Sequence, residues 1–364
     1  MVIRPLLFLG DPETTHEQTL RLLARIEPFA GILHRFLSVP NERLQVRLGS
    51  LAFANPVGLA GGFDKNAVAV RTLAGFGFGF LEIGAVTALA QPGNPKPRLY
   101  RLPADQALIN RLGFNNEGAA AIGRRLRELR DSAIPLDIPL GVNIGRSKIV
   151  ETKDAVEDFL AAFDPLYPYG DFFTLNVSSP NTPELRDLQE KSLLKSLLQA
   201  IQEKNRELAG RFGHSPKPIL VKIAPDMEFS QVDDIVEVVF SEDISGIIAT
   251  NATAFLREKL VSGSTEPGGL SGKPLRTLAT SFVRHLYQAT AGKLPIIGVG
   301  GIFTAEDAYE KIKAGASAVQ IYTGFIYEGP AAVKRINEGL IRLMDRDGYR
   351  SISDAVGQDA EKAS

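Results

Sequence analysis

The chain has 364 residues, enough for one large domain or two ordinary ones. Its net charge of −1, from 41 basic and 42 acidic residues, gives no electrostatic basis for binding nucleic acid. The absence of cysteine excludes disulfides, thiolate nucleophiles and cysteine-ligated metals, and the four histidines are too widely spaced to suggest a metal site. No apolar run reaches the roughly 18 residues of a membrane span, and no cleavable signal pattern begins the chain, so composition alone favours a cytosolic protein.

Residues 1–40 differ from the rest of the chain and predict two short amphipathic helices. Asp11 is a good helix cap and is followed by proline, which suits the first helical position. Large apolar residues recur at helical spacing from Phe29 to Leu37. Two interpretations are open: a helical hairpin packed on the core, which the pattern alone favours, or a membrane-surface patch at the mouth of a site for an apolar ligand.

The middle of the chain predicts a repeating β/α architecture. Alternation of apolar residues around Gly49 in residues 43–55 indicates a β-hairpin. Eight apolar, strand-like segments follow it, at 56–60, 79–86, 138–144, 171–177, 218–224, 244–250, 294–299 and 318–322. Helical patterns separate them, most clearly at 117–130, 153–163, 191–208, 230–240, 275–289, 305–314 and 330–344.

Eight strands that alternate with helices over about 270 residues predict an α/β fold, a closed (β/α)8 TIM barrel. An open doubly wound sheet is the alternative, but it would carry Gly-x-Gly-x-x-Gly after its first strand, and residues 61–65 do not match that pattern. We assign residues 41–345 to the barrel and 346–364 to a C-terminal tail, of which 351–364 look loose and polar. Residues 91–116 form a long polar loop after the second strand, and such loops are often functional.

The predicted strand ends carry amide, glycine and lysine residues, and in such barrels the active site lies at the carboxyl ends of the strands. Amides suit the edge of a pyrimidine or flavin ring, and they occur at Asn110, Asn143, Asn176, Asn181 and Asn251. The glycines at 298–301 and 324 allow backbone N–H groups to approach a phosphate, unless they serve only tight turns.

Two lysines also point to a bound anion. Lys222 lies within an apolar strand and is costly to bury without an anionic partner, unless it faces outward toward the helices. Lys65, beside Asp64, suits a substrate carboxylate or a surface ion pair. A phosphate site, a buried lysine, several amides and no metal together indicate an enzyme that uses flavin mononucleotide (FMN).

Nine segments carry a family resemblance: 55–65, 82–87, 91–98, 109–116, 176–182, 221–226, 268–274, 296–302 and 319–324. The first reads Asn-Pro-Val-Gly-Leu-Ala-Gly-Gly-Phe-Asp-Lys and the fifth Asn-Val-Ser-Ser-Pro-Asn-Thr. In these segments, in the same order from about residue 5 to residue 340, the chain resembles the class 2 dihydroorotate dehydrogenases, the quinone-dependent enzymes of pyrimidine synthesis. The class 1 enzymes are similar but use a cysteine as base, and this chain has none.

The resemblance implies a reaction and its residues. Ser179 would remove a proton from C5 of dihydroorotate while hydride leaves C6 for the flavin N5, giving orotate. Thr182 and Phe114 are well placed in sequence to order a proton relay. FMN would be bound by Gly61, Gly62, Lys65, Ala85, Asn143, Asn176, Lys222, Thr250, Gly272, Gly301, Tyr322 and Thr323. Substrate would be bound by Lys65, Asn110, Arg111, Leu112, Gly113, Phe114, Asn176, Asn181, Asn251 and Ala252.

The resemblance also reverses the interpretation of the N-terminal helices. They would form a quinone tunnel and a membrane-surface patch, with His16, Arg101 and Tyr322 near the tunnel. The protein would then be a peripheral monomer on the cytoplasmic side of the cell membrane, with a membrane quinone as partner and without metal or nucleic acid.

One position departs from the family pattern, because Ala252 stands where threonine is usual. One lost hydrogen bond is worth roughly 0.5–1.5 kcal/mol, so we expect weaker substrate binding or a compensating water, with activity retained. Three other functions are open: a flavin reductase for another pyrimidine or a tRNA uridine, a non-redox phosphate-binding barrel, and a membrane-surface protein without activity. The near-neutral charge argues against a tRNA substrate. Lys222 and the asparagines argue against a non-redox barrel, which would not need them. The presence of Ser179 argues against an inactive membrane-surface protein.

Overall fold

The computed structural model describes residues 3–182 and 184–361, and thirteen β-strands lie within those ranges. In chain order they are β1 (Val46–Leu48), β2 (Leu51–Phe53), β3 (Val57–Leu59), β4 (Phe80–Val86), β5 (Leu99–Leu102), β6 (Ala107–Asn110), β7 (Leu140–Ile144), β8 (Phe172–Asn176), β9 (Ile219–Ile223), β10 (Gly246–Ala249), β11 (Gly269–Gly272), β12 (Ile296–Val299) and β13 (Ala318–Ile321). The α-helices of the same ranges are α1 (Ile3–Leu7), α2 (Pro12–Arg25), α3 (Ala30–Leu37), α4 (Val70–Ala74), α5 (Ala119–Asp131), α6 (Ala155–Leu166), α7 (Lys191–Phe212), α8 (Phe229–Ser241), α9 (Arg276–Ala289), α10 (Ala305–Lys313), α11 (Thr323–Glu328) and α12 (Ala332–Asp347).

Eight of the described strands close into a parallel barrel in the order β3-β4-β7-β8-β9-β10-β12-β13. They coincide with the eight predicted segments, so the predicted (β/α)8 barrel is confirmed. Parallel strands covered by helices are buried on both faces and therefore need continuous apolar runs. At the amino ends of the strands, the rings of Phe80 and Phe172 fill the barrel interior at a centroid distance of 6.2 Å, and Gly58 and Gly141 leave room for them.

The N-terminal helices α2 and α3 lie where the sequence predicts them, and β1 pairs with β2 as the predicted hairpin. The Asp11 side chain caps α2 by accepting a hydrogen bond of 2.8 Å from the Thr14 backbone N–H. A buried ion pair of 2.7 Å between Glu13 and Arg98 fastens α2 to the residue before β5. The opposite face is open to solvent at Leu22, Phe29, Ile32 and Phe36, each more than half exposed. In the part of the chain that the structure describes, no helix has both the length and the apolar character needed to cross a membrane.

The region predicted as a polar loop, residues 91–116, is partly β-structure. β5 and β6 pair antiparallel within it, and β11, from far along the chain, adds to the edge of β6. The sheet encloses a small apolar cluster that contains Leu102, Ile109 and Leu270. The prediction of a loop is therefore wrong for these strands, which form a separate three-stranded antiparallel sheet, the β5–β6 wall.

The C-terminal segment is also more ordered than predicted. Ile352 and Ala355 are fully buried, and the Ala360 carbonyl accepts a hydrogen bond of 2.6 Å from the Gln288 side chain on α9. The prediction of a loose polar tail is wrong as far as residue 361, because these apolar residues complete the core beside α12. Residues 362–364 lie outside the described residues.

One buried polar side chain in α12 leads to a stability prediction. Asn337 is fully buried, and neither its amide nitrogen nor its amide oxygen has a hydrogen-bond partner among the described residues. Asn337→Leu, which keeps the number and branching of the side-chain heavy atoms, should raise the free energy of unfolding by about 1–3 kcal/mol because it removes two unsatisfied groups. Urea unfolding midpoints measure the difference.

Asn205 is the matched control. It is equally buried, but its amide donates to the Lys217 carbonyl at 2.8 Å and accepts from the Lys217 N–H at 2.9 Å. Asn205→Leu should therefore lower stability. If both substitutions lowered stability by the same amount, the interpretation of Asn337 as an unsatisfied group would be wrong.

Candidate active site

A cavity, which we call the central cavity, lies at the carboxyl ends of the barrel strands. Because parallel strands deliver their carboxyl ends to one face, residues far apart in sequence meet there. Of the predicted site residues, the cavity is lined by Gly61, Gly62, Lys65, Ala85, Asn110, Leu112, Gly113, Phe114, Asn176, Ser179, Asn181, Lys222, Thr250, Asn251, Ala252, Gly272, Gly301, Tyr322 and Thr323.

Two of the residues predicted to bind FMN or substrate do not line the central cavity. Asn143 lies behind Asn176, to whose amide nitrogen its side-chain oxygen is bonded at 3.0 Å. Arg111 points away, because its guanidinium donates to the Pro97 carbonyl at 2.7 Å and to the Tyr100 hydroxyl at 2.9 Å. Asn143 therefore contacts the cavity only through Asn176. Arg111 belongs to the β5–β6 wall and does not contact the cavity.

Ser179 and the asparagines form one polar wall of the central cavity. The Ser179 hydroxyl oxygen accepts a hydrogen bond of 3.3 Å from the Asn181 N–H and is nearly buried. The Asn181 side chain donates to the Asn110 oxygen at 3.3 Å, which joins the loop after β8 to the end of β6. Thr182, proposed to help a proton relay, is buried but is not among the lining residues, whereas Phe114 is.

Glu82 is a buried carboxylate that lies behind this polar wall, and the sequence analysis did not identify it as a functional residue. Glu82 on β4 accepts hydrogen bonds from the Asn143 amide at 2.5 Å and from the Gln320 amide at 2.7 Å. Its Oε1 lies 3.8 Å from the Lys222 Nζ, and both side chains are buried. Lys222 thus faces the barrel interior, as predicted, but the protein itself supplies an anionic partner. The sequence signal was a charged residue inside an otherwise apolar strand.

A second missed carboxylate joins three loops of the site. Asp226, almost fully buried after β9, accepts hydrogen bonds from the Arg186 guanidinium at 2.7 Å, from the Ala254 N–H at 2.8 Å and from the Thr253 hydroxyl. Arg186 also donates to the Ser178 carbonyl at 3.3 Å. This arrangement ties the loop that carries Ser179 to the loop that carries Ala252.

Lys65 is directed to the central cavity rather than to a surface ion pair. Its neighbour Asp64 is buried and accepts hydrogen bonds from the Val68 and Ala69 backbone N–H groups at 2.9 and 2.8 Å. Burial lowers the pKa of Lys65 to about 8, against the opposing effect of Glu13. Lys65 is therefore mostly protonated at pH 7 and available to an anionic ligand.

A second cavity of about 670 Å³, the apolar cavity, lies between α1, α2 and the barrel. Its walls are mainly aliphatic and aromatic, and the three residues predicted near a tunnel, His16, Arg101 and Tyr322, all line it. Tyr322 also lines the central cavity, so the two cavities meet at this residue. Arg101 donates to the Gly10 carbonyl at 2.9 Å and stacks on the Phe8 ring at 4.7 Å.

His16 is neutral in this environment. Burial, followed by the positive charge of Lys65, lowers the pKa of His16 to about 4. Its Nε2 lies 2.8 Å from the Phe63 carbonyl oxygen, which only accepts, so Nε2 carries the proton. The Nδ1 atom is therefore the acceptor that the ring retains for a ligand.

The comparison with known proteins identifies the family. The family model described as dihydroorotate dehydrogenase matches residues 43–344. The chain belongs to the dihydroorotate dehydrogenase family. Members of this family are flavin-dependent oxidoreductases that oxidise dihydroorotate in pyrimidine biosynthesis. The predicted family and enzyme class are thus confirmed, and within the described residues no group of three or more His, Asp or Glu could hold a metal ion.

Individual dihydroorotate dehydrogenases resemble the chain over almost its whole length. The dihydroorotate dehydrogenase (quinone) of Gloeobacter violaceus is 49% identical over 97% of both chains, and that of Halobacterium salinarum is 48% identical over 98% of this chain and 99% of its own. The crystal structure of DHODH from Eimeria tenella in complex with ferulenol has a TM-score of 0.89 and 37% identity, covering 97% of this chain and 96% of that one.

Proposed function

We propose that this protein is a quinone-dependent dihydroorotate dehydrogenase. It oxidises dihydroorotate to orotate at the central cavity, uses FMN as its cofactor and delivers the electrons to a membrane quinone at the apolar cavity. The observation that carries the proposal is the shared wall. The central cavity, with its wall of Ser179 and asparagines, and the apolar cavity, with its exposed helical mouth, both have Tyr322 as a lining residue.

The residues of the central cavity fit FMN. Gly300 and Gly301, at φ values of +115° and +73°, bring backbone to the cavity surface at the end of β12, where such barrels commonly bind a phosphate. The Gln320 side-chain oxygen at the cavity has no hydrogen-bond partner among the described residues. Lys222 provides a positive charge, and Asn176 and Thr250 provide polar groups of the type that a flavin edge requires.

FMN would be held by the predicted lining residues, with Asn143 acting through Asn176. Bound FMN would supply a two-electron acceptor, which amino-acid side chains do not provide. The protein's own part is to bind and orient the substrate and to take its proton. Protonated Lys65 would pair with the substrate carboxylate. Asn110, Asn176, Asn181 and Asn251 would bind the ring, and Ser179 would accept the proton from C5.

The N-terminal part of the chain serves the second substrate. Residues 1–40 would be the extension that serves the quinone, and its helices α1 and α2 line the apolar cavity. Residues 41–345 would be the FMN-binding barrel. The exposed apolar face of α2 and α3 would lie on the cytoplasmic surface of the membrane, so that a quinone enters the cavity without crossing water. Because lipid covers this face, the protein acts as a peripheral monomer. The acceptor Nδ1 of His16 and the guanidinium of Arg101 would bind the polar head of the quinone.

The visible spectrum of the purified protein tests the proposal. Flavin bands should be present, should bleach when dihydroorotate is added without oxygen, and should return when a short-chain quinone is added. Flavin bands that persist with dihydroorotate would overturn the substrate assignment. Failure to bind FMN even after reconstitution would overturn the proposed function as a whole.

Ala252, which stands where threonine is usual in the family, leads to a prediction about substrate binding. Ala252 is nearly buried at the cavity wall, beside Asn251, whose oxygen accepts the Ala252 N–H at 2.7 Å. Ala252→Thr restores a hydroxyl at this wall and should lower the KM for dihydroorotate by about 2- to 10-fold with kcat unchanged, the effect of one hydrogen bond. Steady-state kinetics measure it. Ala254→Thr, two residues away and exposed, is the control, and equal KM values in both variants would contradict the prediction.

A further inference from the structure

Glu82 is a fully buried carboxylate in the interior of the barrel. Its partner Asn143 lies on the adjacent strand β7, but its partners Gln320 and Lys222 come from strands that are not its neighbours. Gln320 lies on β13 and Lys222 on β9, whereas β4 pairs with β3 and β7. Side chains of non-adjacent strands meet only inside a closed barrel, so Glu82 lies beneath the central cavity. A buried carboxylate is costly unless its charge is paired and its oxygens are bonded, and Glu82 meets both conditions.

The carboxylate also fixes the direction of a chain of amides. An ionised carboxylate only accepts hydrogen bonds, so Asn143 must turn its NH2 group toward Glu82 and its oxygen toward Asn176. Asn176 then donates to Asn143 through its own NH2 group, and its oxygen accepts from the Asn251 amide at 3.3 Å. The Asn251 oxygen is left to accept the Ala252 N–H. The Glu82 carboxylate, at the start of this chain of hydrogen bonds, thus determines which side-chain atoms Asn176 and Asn251 present at the cavity.

We infer that Glu82 is a positioning residue for the reaction, with two separable effects. As an acceptor, it orders the Asn143–Asn176–Asn251 chain that would bind the substrate ring. As a charge, it balances Lys222, so that this buried pair is close to neutral. The inference rests on the proposed function, because both effects would act on FMN and dihydroorotate bound in the central cavity.

The charge of Glu82 bears on the reduction potential of the cofactor. Reduced flavin carries more negative charge than oxidised flavin, and a carboxylate in a low-dielectric interior disfavours that charge while Lys222 favours it. Removing the carboxylate while keeping Lys222 should therefore shift the cofactor toward its reduced form. A residue with a purely structural role would not shift the potential in this particular direction.

Two conservative substitutions separate the effects. In Glu82→Gln the remaining oxygen can still accept from Asn143, and the new NH2 group can donate to Gln320, whose unpartnered oxygen becomes available when its amide turns. This variant loses the negative charge of Glu82 but keeps the orientation of the Asn143, Asn176 and Asn251 amides. In Glu82→Asp the charge is kept, but the side chain is one methylene shorter and withdraws from Asn143. Thr174→Val is the control, because Thr174 is buried on β8 and its hydroxyl has no partner among the described residues.

The midpoint potential of the bound flavin, measured against a reference dye, and the KM for dihydroorotate are the two readouts. Glu82→Gln should raise the reduced-to-oxidised ratio at fixed potential by about tenfold, which is about 30 mV for a two-electron couple, with little change in KM. Glu82→Asp should raise KM by about fivefold with little change in potential. Thr174→Val should leave both unchanged.

Two results would overturn the inference: a wild-type potential in Glu82→Gln, or the same potential shift in Glu82→Asp. If Glu82→Gln does not fold, the potential and KM of Glu82→Asp decide the question. A wild-type protein that does not bind FMN in the same titration would instead overturn the proposed function, so the two failures are distinguishable.

Discussion

Replacing Ser179 with alanine is expected to slow the reduction of bound flavin by dihydroorotate by about 10²- to 10⁴-fold, the usual contribution of a general base. Among the described residues of the loop after β8, Ser179 is the one that places a hydroxyl at the central cavity, and this hydroxyl accepts from the Asn181 N–H. Without it, the proton at C5 has no acceptor in place, whereas the amides that bind the ring remain. The rate constant should therefore fall much more than the affinity.

Anaerobic stopped-flow mixing with dihydroorotate measures this rate from the bleaching of the flavin bands. Ser241→Ala, on the exposed end of α8, is the matched control for loss of a serine hydroxyl, which there bonds only to the Val238 carbonyl and to Glu242. Flavin content should be equal in all three proteins. A rate for Ser179→Ala within tenfold of the wild-type rate would remove Ser179 as the base.

The barrel and most of the site could be predicted because both depend on local patterns and one rule of topology. Each barrel strand is a largely apolar run, interrupted by single polar residues such as Glu82 and Lys222. Parallel strands place their carboxyl ends at a single face, so reading the residues at the end of each run was enough to assemble most of the cavity. Arg111 shows the limit of this approach. Successive residues of an extended chain point to opposite sides, so Asn110 faces the cavity and Arg111 faces away, although both belong to one motif.

The features that were missed depend on contacts between distant parts of the chain. β5 and β6 lie in a segment that is rich in proline and charged residues, and β11 pairs with β6 across about 160 residues, so the local pattern did not indicate these strands. Glu82 was visible as a charge inside an apolar strand. Its partners Gln320 and Lys222 become neighbours only when the barrel closes. The buried tail residues Ile352 and Ala355 likewise have a core to join only after α12 has packed.

Lys311 on α10 should make the stability of the protein depend strongly on pH. It is completely buried, and among the described residues its amine donates to the Thr280 hydroxyl at 3.0 Å and the Arg276 carbonyl at 3.4 Å. Burial lowers its pKa from the ordinary 10.5 to about 7; Glu310 and Asp307 oppose this shift and Arg276 adds to it. Between about pH 7 and 10.5 the unfolded chain therefore binds a proton that the folded chain does not. The free energy of unfolding should rise with pH across this window.

Lys311→Met, which keeps an unbranched apolar side chain and removes the amine, isolates this effect. At pH 6 both folded and unfolded wild-type chains carry the charge, and the folded state bears the full cost of burying it, roughly 5 kcal/mol at about 1.4 kcal/mol per pH unit. The variant avoids this cost but also loses the hydrogen bonds of the amine, so it should be about 3–4 kcal/mol more stable than the wild type at pH 6. At pH 10, where wild-type Lys311 is neutral in the folded state, the difference should nearly vanish.

Urea unfolding of both proteins at pH 6, 8 and 10 measures the difference, and other titrating groups cancel because they are common to both chains. Lys293→Met, at an exposed position in the loop after α9, controls for the loss of one positive charge at the surface. A difference between wild type and Lys311→Met that stays constant from pH 6 to pH 10 would show that Lys311 keeps its charge when folded. The polar groups of Thr280 and Arg276 would then be enough to hold a buried ammonium, and stability would not rise through this window on account of Lys311.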